Sequence, residues 1–142
     1  MATVAQLLKY KGYAIHGVDP DAPVLEALRQ MAQHDTGALL VMQGEQLVGI
    51  ISERDYARKV VLKGRSSDET SVRQIMSSPV VTVNAEQSIQ DCMRIVTDKR
   101  IRHLPVVDGT RVIGVLSIGD LVRALLEEQR QTIEQLERYI NS

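Results

Sequence analysis

At 142 residues, 44% of them hydrophobic and 25% charged, the chain has the make-up of one compact globular unit, or of two very small ones that lean on each other. A net charge of −1, the lack of Phe and Trp and a total of four Tyr argue against nucleic acid as a partner, because neither a basic field nor stacking platforms are present. No apolar run approaches the roughly twenty residues of a spanning helix, which argues against a membrane role and leaves an aliphatic core.

In chain order, the opening MATVAQLLKYKG lacks the basic head, apolar block and cleavage site of a secretion signal, and points to the cytoplasm. A short strand at Ile15 precedes Val24, Leu25, Leu28, Met31 and Ala32, which recur at helical spacing and give an amphipathic helix with one buried stripe. The apolar run ALLVM (38–42), a turn at Gln43 and Gly44, and a second run LVGII (47–51) predict a hairpin, and a second helix follows Ser52. The polar KGRSSDETS (63–71) reads as a linker. The same order then returns: a strand at 80–83, a helical stripe of Ile89, Cys92, Met93 and Val96, the runs LPVV (104–107) and VIGVL (112–116) around Asp108 and Gly109, and a helix after Ser117. That helix continues through a charged tail with Leu125, Thr132, Ile133, Leu136 and Ile140 as a narrow seam, longer than a small unit needs; a solvated extension and packing on a partner subunit are the two readings, and the second is preferred.

The recurrence is an internal duplication. A shift of 65 lays residues 21–61 over 86–126 without a gap, with eight of 41 pairs identical: Arg29/Arg94, Leu39/Leu104, Val41/Val106, Gly44/Gly109, Gly49/Gly114, Ser52/Ser117, Asp55/Asp120 and Arg58/Arg123. TVAQLL (3–8) likewise matches SVRQIM (71–76), so each copy owns a leading segment. The expected organisation is a first repeat over 3–62, a linker over 63–71, a second repeat over 72–128 and a helical extension over 129–142. Each repeat reads β-α-β-β-α, an α/β (α+β) class; a unit of this size cannot cover both faces of its own sheet, so the two are expected to pack together with pseudo-two-fold symmetry.

Ser-x-x-Asp between a strand and an apolar-periodic run is the signature of a helix N-cap. It is also a place where an anionic ligand can meet a helix N-terminus, and the residue between is Arg54 in one copy, a fork of donors, and Gly119 in the other, a point of close approach. A carboxylate there suits a sugar diol, whose two hydroxyls can both donate to it. Both readings stand on the residues alone.

The phrases GALLVMQGEQLVGIISERD (37–55) and RHLPVVDGTRVIGVLSIGD (102–120), with TVAQLL and SVRQIM, resemble the tandem cystathionine-beta-synthase-type (CBS) domain pair, the Bateman module. The resemblance covers about residues 3–126. It implies two repeats packed sheet to sheet, with clefts that take an adenosine-containing ligand such as AMP, ADP, ATP or NAD, and a homodimer that signals to an effector protein. Carried over position by position, Asp55 and Asp120 are expected on the ribose diol, and Ser52 and Ser117 near ribose or phosphate, with Ile118 and Gly119 in the same turn. Each cleft is expected to borrow the leading segment of the other repeat: Lys11, Tyr13, Ala14 and His16 toward Ser117 and Asp120, and Ser78, Val80 and Val81 toward Ser52 and Asp55. Arg102 and His103 match a basic pair that approaches phosphate; their counterparts are Gly37 and Ala38, so the two sites are expected to be unequal, with the Ser117/Asp120 site the tighter.

His16, His34, His103 and Cys92 show no metal-ligand spacing, and no Walker loop, Gly-x-Gly-x-x-Gly or nucleophile with a nearby base is visible, so neither a metal, a catalytic cofactor nor an enzyme is expected. Met42, Met76 and Met93 read as core fillers. The alternative function is a constitutive dimeric interaction module in which both Ser-x-x-Asp motifs serve as caps.

Overall fold

The computed structural model describes residues 2–141; Ser142, the last residue of the expected extension, lies outside them. The chain forms two compact units that do not follow the order of the sequence. One, the contiguous unit, holds residues 15–81 with 109–112; the other, the split unit, joins the residues up to 14 to 82–108 and those from 113 onward.

The contiguous unit is built on a three-stranded sheet, β1 (Gly17–Val18), β2 (Ala38–Gln43) and β3 (Gln46–Ser52), in that order. β1 runs parallel to β2, with Gly17 beside Leu40, and β2 is antiparallel to β3, with Ala38 beside Ser52 and a register shift between Val41 and Met42. The hairpin turns at Gly44, where φ is 64° and a side chain would be strained. Helix α1 (Val4–Lys11) belongs to the split unit; α2 (Val24–His34) lays Val24, Ala27 and Met31 on the core and ends in Asp35, left-handed at φ 51°. After β3 come α3 (Glu53–Tyr56), a π-helical turn (Ala57–Val61) and the short α4 (Val72–Ile75). Val72 and Ile75 of α4 join Val18, Leu39, Val41, Ile51 and Val60 in one aliphatic cluster.

The split unit repeats this plan from two distant pieces. Helix α1 carries a capping box in which Gln6 N–H donates to Thr3 Oγ1 (3.3 Å) and Thr3 N–H donates to Gln6 Oε1 (3.0 Å). Its start is stitched to the start of α5 (Ile89–Lys99): Val4 N–H donates to Gln87 O (2.9 Å) and Ile89 N–H donates to Ala2 O (3.1 Å). α5 buries Ile89, Cys92 and Val96, and ends in Arg100, left-handed at φ 55° and 65 positions after Asp35. A hairpin of β4 (His103–Asp108) and β5 (Arg111–Ser117) leads into α6 (Ile118–Asn141), one helix of 24 residues.

The leading segments are exchanged. A Cβ on Gly114 of β5 would lie 2.6 Å from Leu8 Cδ2, and one on Gly49 of β3 would lie 2.5 Å from Met76 Sδ; Leu8 and Met76 close the two matched segments TVAQLL and SVRQIM. Only a glycine lets each segment lie this close to its strand. The expected first strand of the second repeat shrinks to one residue, Val83, bridged to Val106 through Val83 N–H to Pro105 O (3.0 Å) and Val107 N–H to Val83 O (2.8 Å). The reason is Pro105: its counterpart Leu40 donates its N–H to His16 O (3.2 Å) and lengthens the first ladder, whereas proline has no N–H to give. In the first repeat the strand begins at Gly17 rather than Ile15.

Candidate functional site

In the split unit the turn from β5 into α6 sets Ser117 and Asp120 in a reciprocal cap: Ser117 N–H donates to Asp120 Oδ2 (2.8 Å) and Asp120 N–H donates to Ser117 Oγ (3.1 Å). Asp120 is 7% exposed, and two cations reach it. Lys11, at the end of α1, places Nζ 2.6 Å from Asp120 Oδ2 and donates to Val115 O (2.5 Å); Arg123, one turn into α6, donates to Oδ1 (2.9 Å). Burial pushes the Asp120 carboxyl up, but the Lys11 bond, the Ser117 N–H and the Lys11 charge outweigh it, and the group sits below its ordinary 3.8.

His103, at the start of β4, is half-buried. Burial first, then the charges of Lys11 and Arg102, hold it below its ordinary 6.5, against a smaller upward pull from Asp120. The exposed Arg102 accepts Ile118 N–H on its carbonyl (2.8 Å), which ties the β4 entrance to the α6 turn. Lys11 and Arg123 thus hold one buried carboxylate whose Oδ2 already accepts two donors and whose Oδ1 accepts one, with His103 near it and the charge of Arg102 acting on His103.

The contiguous unit repeats the cap with different surroundings. Ser52 N–H and Oγ–H both donate to Asp55 Oδ2 (3.0 and 3.1 Å), and Asp55 N–H donates to Ser52 Oγ (3.2 Å). The cation on Asp55 is Lys59, 3.1 Å from Oδ1, which comes from the following helical turn and also donates to Ile75 O (2.9 Å). At the place of Arg102 stands Gly37, where a Cβ would lie 3.2 Å from the Glu53 carboxylate, so this position has no cation and an anion beside it.

The other expected residues fall as follows. Tyr13 and Ala14 are exposed beyond α1 in the split unit, with Gly119 and the exposed Ile118 in the first turn of α6. Arg54 is exposed on α3, and Ser78, Val80 and Val81 lie in the contiguous unit with Ser52 and Asp55, after Ser77 has paired with Ile50. His16 belongs to the contiguous unit and stacks on His34, ring centroids 3.7 Å apart. Sequence reasoning missed Arg123 and Lys59; both lie three or four residues after their Asp, the helical spacing at which opposite charges meet, and Arg58/Arg123 were already among the identical pairs. Among the described residues no group of three or more His, Cys, Asp or Glu could hold a metal, and no helix is long and apolar enough to cross a membrane.

The family model described as CBS domain matches residues 14–62 and 72–127. The mitochondrial CBS domain-containing protein CBSX3 of Arabidopsis thaliana is 42% identical over 147 residues, covering 97% of this chain and 71% of the relative. A protein with CBS domains from Burkholderia ambifaria is 47% identical with a TM-score of 0.86, over 90% of this chain and 96% of that one. A CBS domain pair solved with 5-methylthioadenosine and S-adenosyl-L-methionine shares the fold at 22% identity, with a TM-score of 0.80 over 90% of this chain and 98% of that one. With two matched stretches that carry the same caps, hairpins and strand glycines, the chain belongs to the CBS domain family and is a tandem pair, a Bateman module.

Proposed function

We propose that the protein is a regulatory module that binds an adenosine-containing ligand, AMP, ADP, ATP or NAD, at Ser117 and Asp120, and reports occupancy to an effector protein through the geometry of a homodimer. The observation that carries this reading is Asp120, a buried carboxylate paired with Lys11 and Arg123, with His103 nearby under the charge of Arg102. A ribose diol needs two acceptor positions on that carboxylate, and Lys11 occupies one of them. A nucleotide resolves the conflict by exchange: Lys11 leaves Asp120 for the phosphate, and the diol takes its place. Arg102 and His103 then complete an anion site, with Tyr13 and Ala14 on the adenosine side. The contiguous unit, with Glu53 near Gly37 and with Arg54 as its exposed cation, is the weaker site; there Ser52 and Asp55 face ribose, and Ser78, Val80 and Val81 line the base. The CBS domain pair solved with two adenosine derivatives supports the ligand class. The relatives are named for their domains rather than for a reaction, in keeping with a regulatory and not a catalytic role. The cytoplasm is proposed as the compartment, although the Arabidopsis relative is named mitochondrial.

The second reading, a constitutive interaction module, is favoured by one observation: both Ser-x-x-Asp motifs do cap their helices. Thermal-shift and calorimetric titration with AMP, ADP, ATP, NAD and S-adenosylmethionine separates the two. A ligand at 100 times its Kd stabilises the fold by about 2.7 kcal/mol, which moves the melting temperature by several degrees. Silence from all five at millimolar concentration sinks the sensor. Asp120→Asn keeps an acceptor for the cap and removes the charge, so it should abolish binding while the protein stays folded.

A further inference from the structure

We propose that α6 pairs with α6 of a second copy of this chain, antiparallel, in a register that sets Arg130 of each copy against Glu137 of the other. It rests on the homodimer of the functional reading and assigns that dimer a surface.

The first half of α6 is held in its unit by Leu121 and Asp120 and by contact with α1 and α5. Along its outer side Val122 (40% exposed), Leu126 (59%), Ile133 (56%), Leu136 (57%) and Ile140 (77%) stand open to solvent. Their spacings of four, seven, three and four are those of a and d positions in a heptad repeat, with Gln129 filling the one gap. This differs from the seam expected from sequence: Leu125 and Thr132 face a groove beside α5 instead, and Val122 and Leu126 take their place.

Charge selects the orientation. With Leu126, Ile133 and Ile140 at a, the flanking positions are Arg130 and Glu137 on one side and Leu125, Thr132 and Tyr139 on the other. In a parallel pair Leu125 would face Arg130 and Thr132 would face Glu137, with no complementary charges. In the antiparallel pair like sides meet. Ile133 then layers on Leu136 and Gln129 on Ile140, so the paired segment runs over 129–140 with Val122 and Leu126 outside it, and the same register brings Arg130 to Glu137 twice, by the two-fold symmetry of an isologous contact. Arg130 is already aligned along the helix by Glu127 and Glu134, which hold it from either side.

A second observation agrees. The groove of about 360 Å³ is lined by Gln90, Leu125, Glu128, Gln129, Thr132 and Ile133. The antiparallel register lays the last turn of the second α6 along this groove.

Analytical ultracentrifugation of the full chain tests the proposal. The wild type is expected to sediment as a dimer, and Leu136→Glu as a monomer with unchanged circular dichroism. Arg130→Glu and Glu137→Arg should each weaken the dimer about tenfold or more, and their equimolar mixture should recover it, since every facing pair is then opposite in sign. As Arg130→Glu also disturbs pairs within its own helix, a second measurement stands beside it: air oxidation of a mixture of the Gln129→Cys and Ile140→Cys variants should give the crossed disulfide, with Cys92 buried and silent. A dimer indifferent to Leu136→Glu, or one that yields only 129-to-129 and 140-to-140 products, overturns this arrangement and leaves the homodimer standing. A monomer at every concentration overturns both.

Discussion

Asp120 carries its charge in a place where burial alone would neutralise it, and that has a measurable consequence. Its folded pKa is depressed below 3.8, so the stabilisation it supplies is present above that value and is lost as pH falls through the folded pKa. The melting-temperature gap between wild type and Asp120→Asn is therefore expected to be open at pH 7 and to narrow progressively below pH 4; a gap that stays constant across that range would mean that the carboxylate charge is not what the fold uses. His103 works in the opposite sense. Its pKa is held below 6.5 by burial and by the nearby Lys11 and Arg102, so an incoming phosphate, which offsets those cations, draws a proton onto the ring. Nucleotide binding should then take up a proton and tighten from pH 8 to pH 6, with His103→Gln flattening the profile; calorimetry in buffers of different ionisation enthalpy measures the uptake directly. Without ligand, the same depressed pKa makes the fold lose stability as pH drops below 6.5, because the unfolded chain protonates His103 first.

Among the elements, those fixed by local chemistry were legible in the sequence: helical stripes at α2 and α5, glycine turns at Gly44 and Gly109, and Ser-x-x-Asp caps at the starts of α3 and α6. What escaped has a non-local cause. The strand expected over 80–83 depends on whether a residue more than twenty positions later can donate, and Pro105 cannot. The Lys11 to Val115 bond spans 104 residues, and no spacing rule reaches that far; only the resemblance to a known family brought Lys11 toward Ser117 and Asp120. Arg123 and Lys59 sit three and four residues after their Asp, a local helical spacing that the sequence does display. The close contact of α1 with β5 supplies a test at this scale. Gly114→Ala should cost about 1–3 kcal/mol by overpacking against Leu8, and Leu8→Ala in the same chain should recover part of that loss, because the methyl groups in conflict are gone. Chemical denaturation of the two single variants and the double gives the coupling, and strictly additive losses would place the strain elsewhere.

At the scale of the whole molecule, two units grown from one repeat have drifted apart in charge, with Arg102 and His103 in one where Gly37 and Ala38 stand in the other. One ligand per chain is accordingly expected at moderate concentration, which the stoichiometry of a calorimetric titration reads out. Cys92 offers a reporter for the split unit. It is fully buried, and burial pushes its thiol up to about 11, so the native protein at pH 8 should resist a thiol reagent until it unfolds, and a bound nucleotide should slow labelling further. The exchange of leading segments bears on how such a chain is made. Residues 15–81, nearly all of the contiguous unit, leave the ribosome as one stretch and have their own strands and helices at hand, whereas α1 emerges first and finds β5 and Asp120 only about a hundred residues later. Throughout that interval Leu8 and Lys11 wait without their partners. The Lys11 to Asp120 pair is therefore among the last contacts to form during synthesis, and a nascent chain stalled before Asp120 displays a folded first unit while Lys11 still lacks its carboxylate.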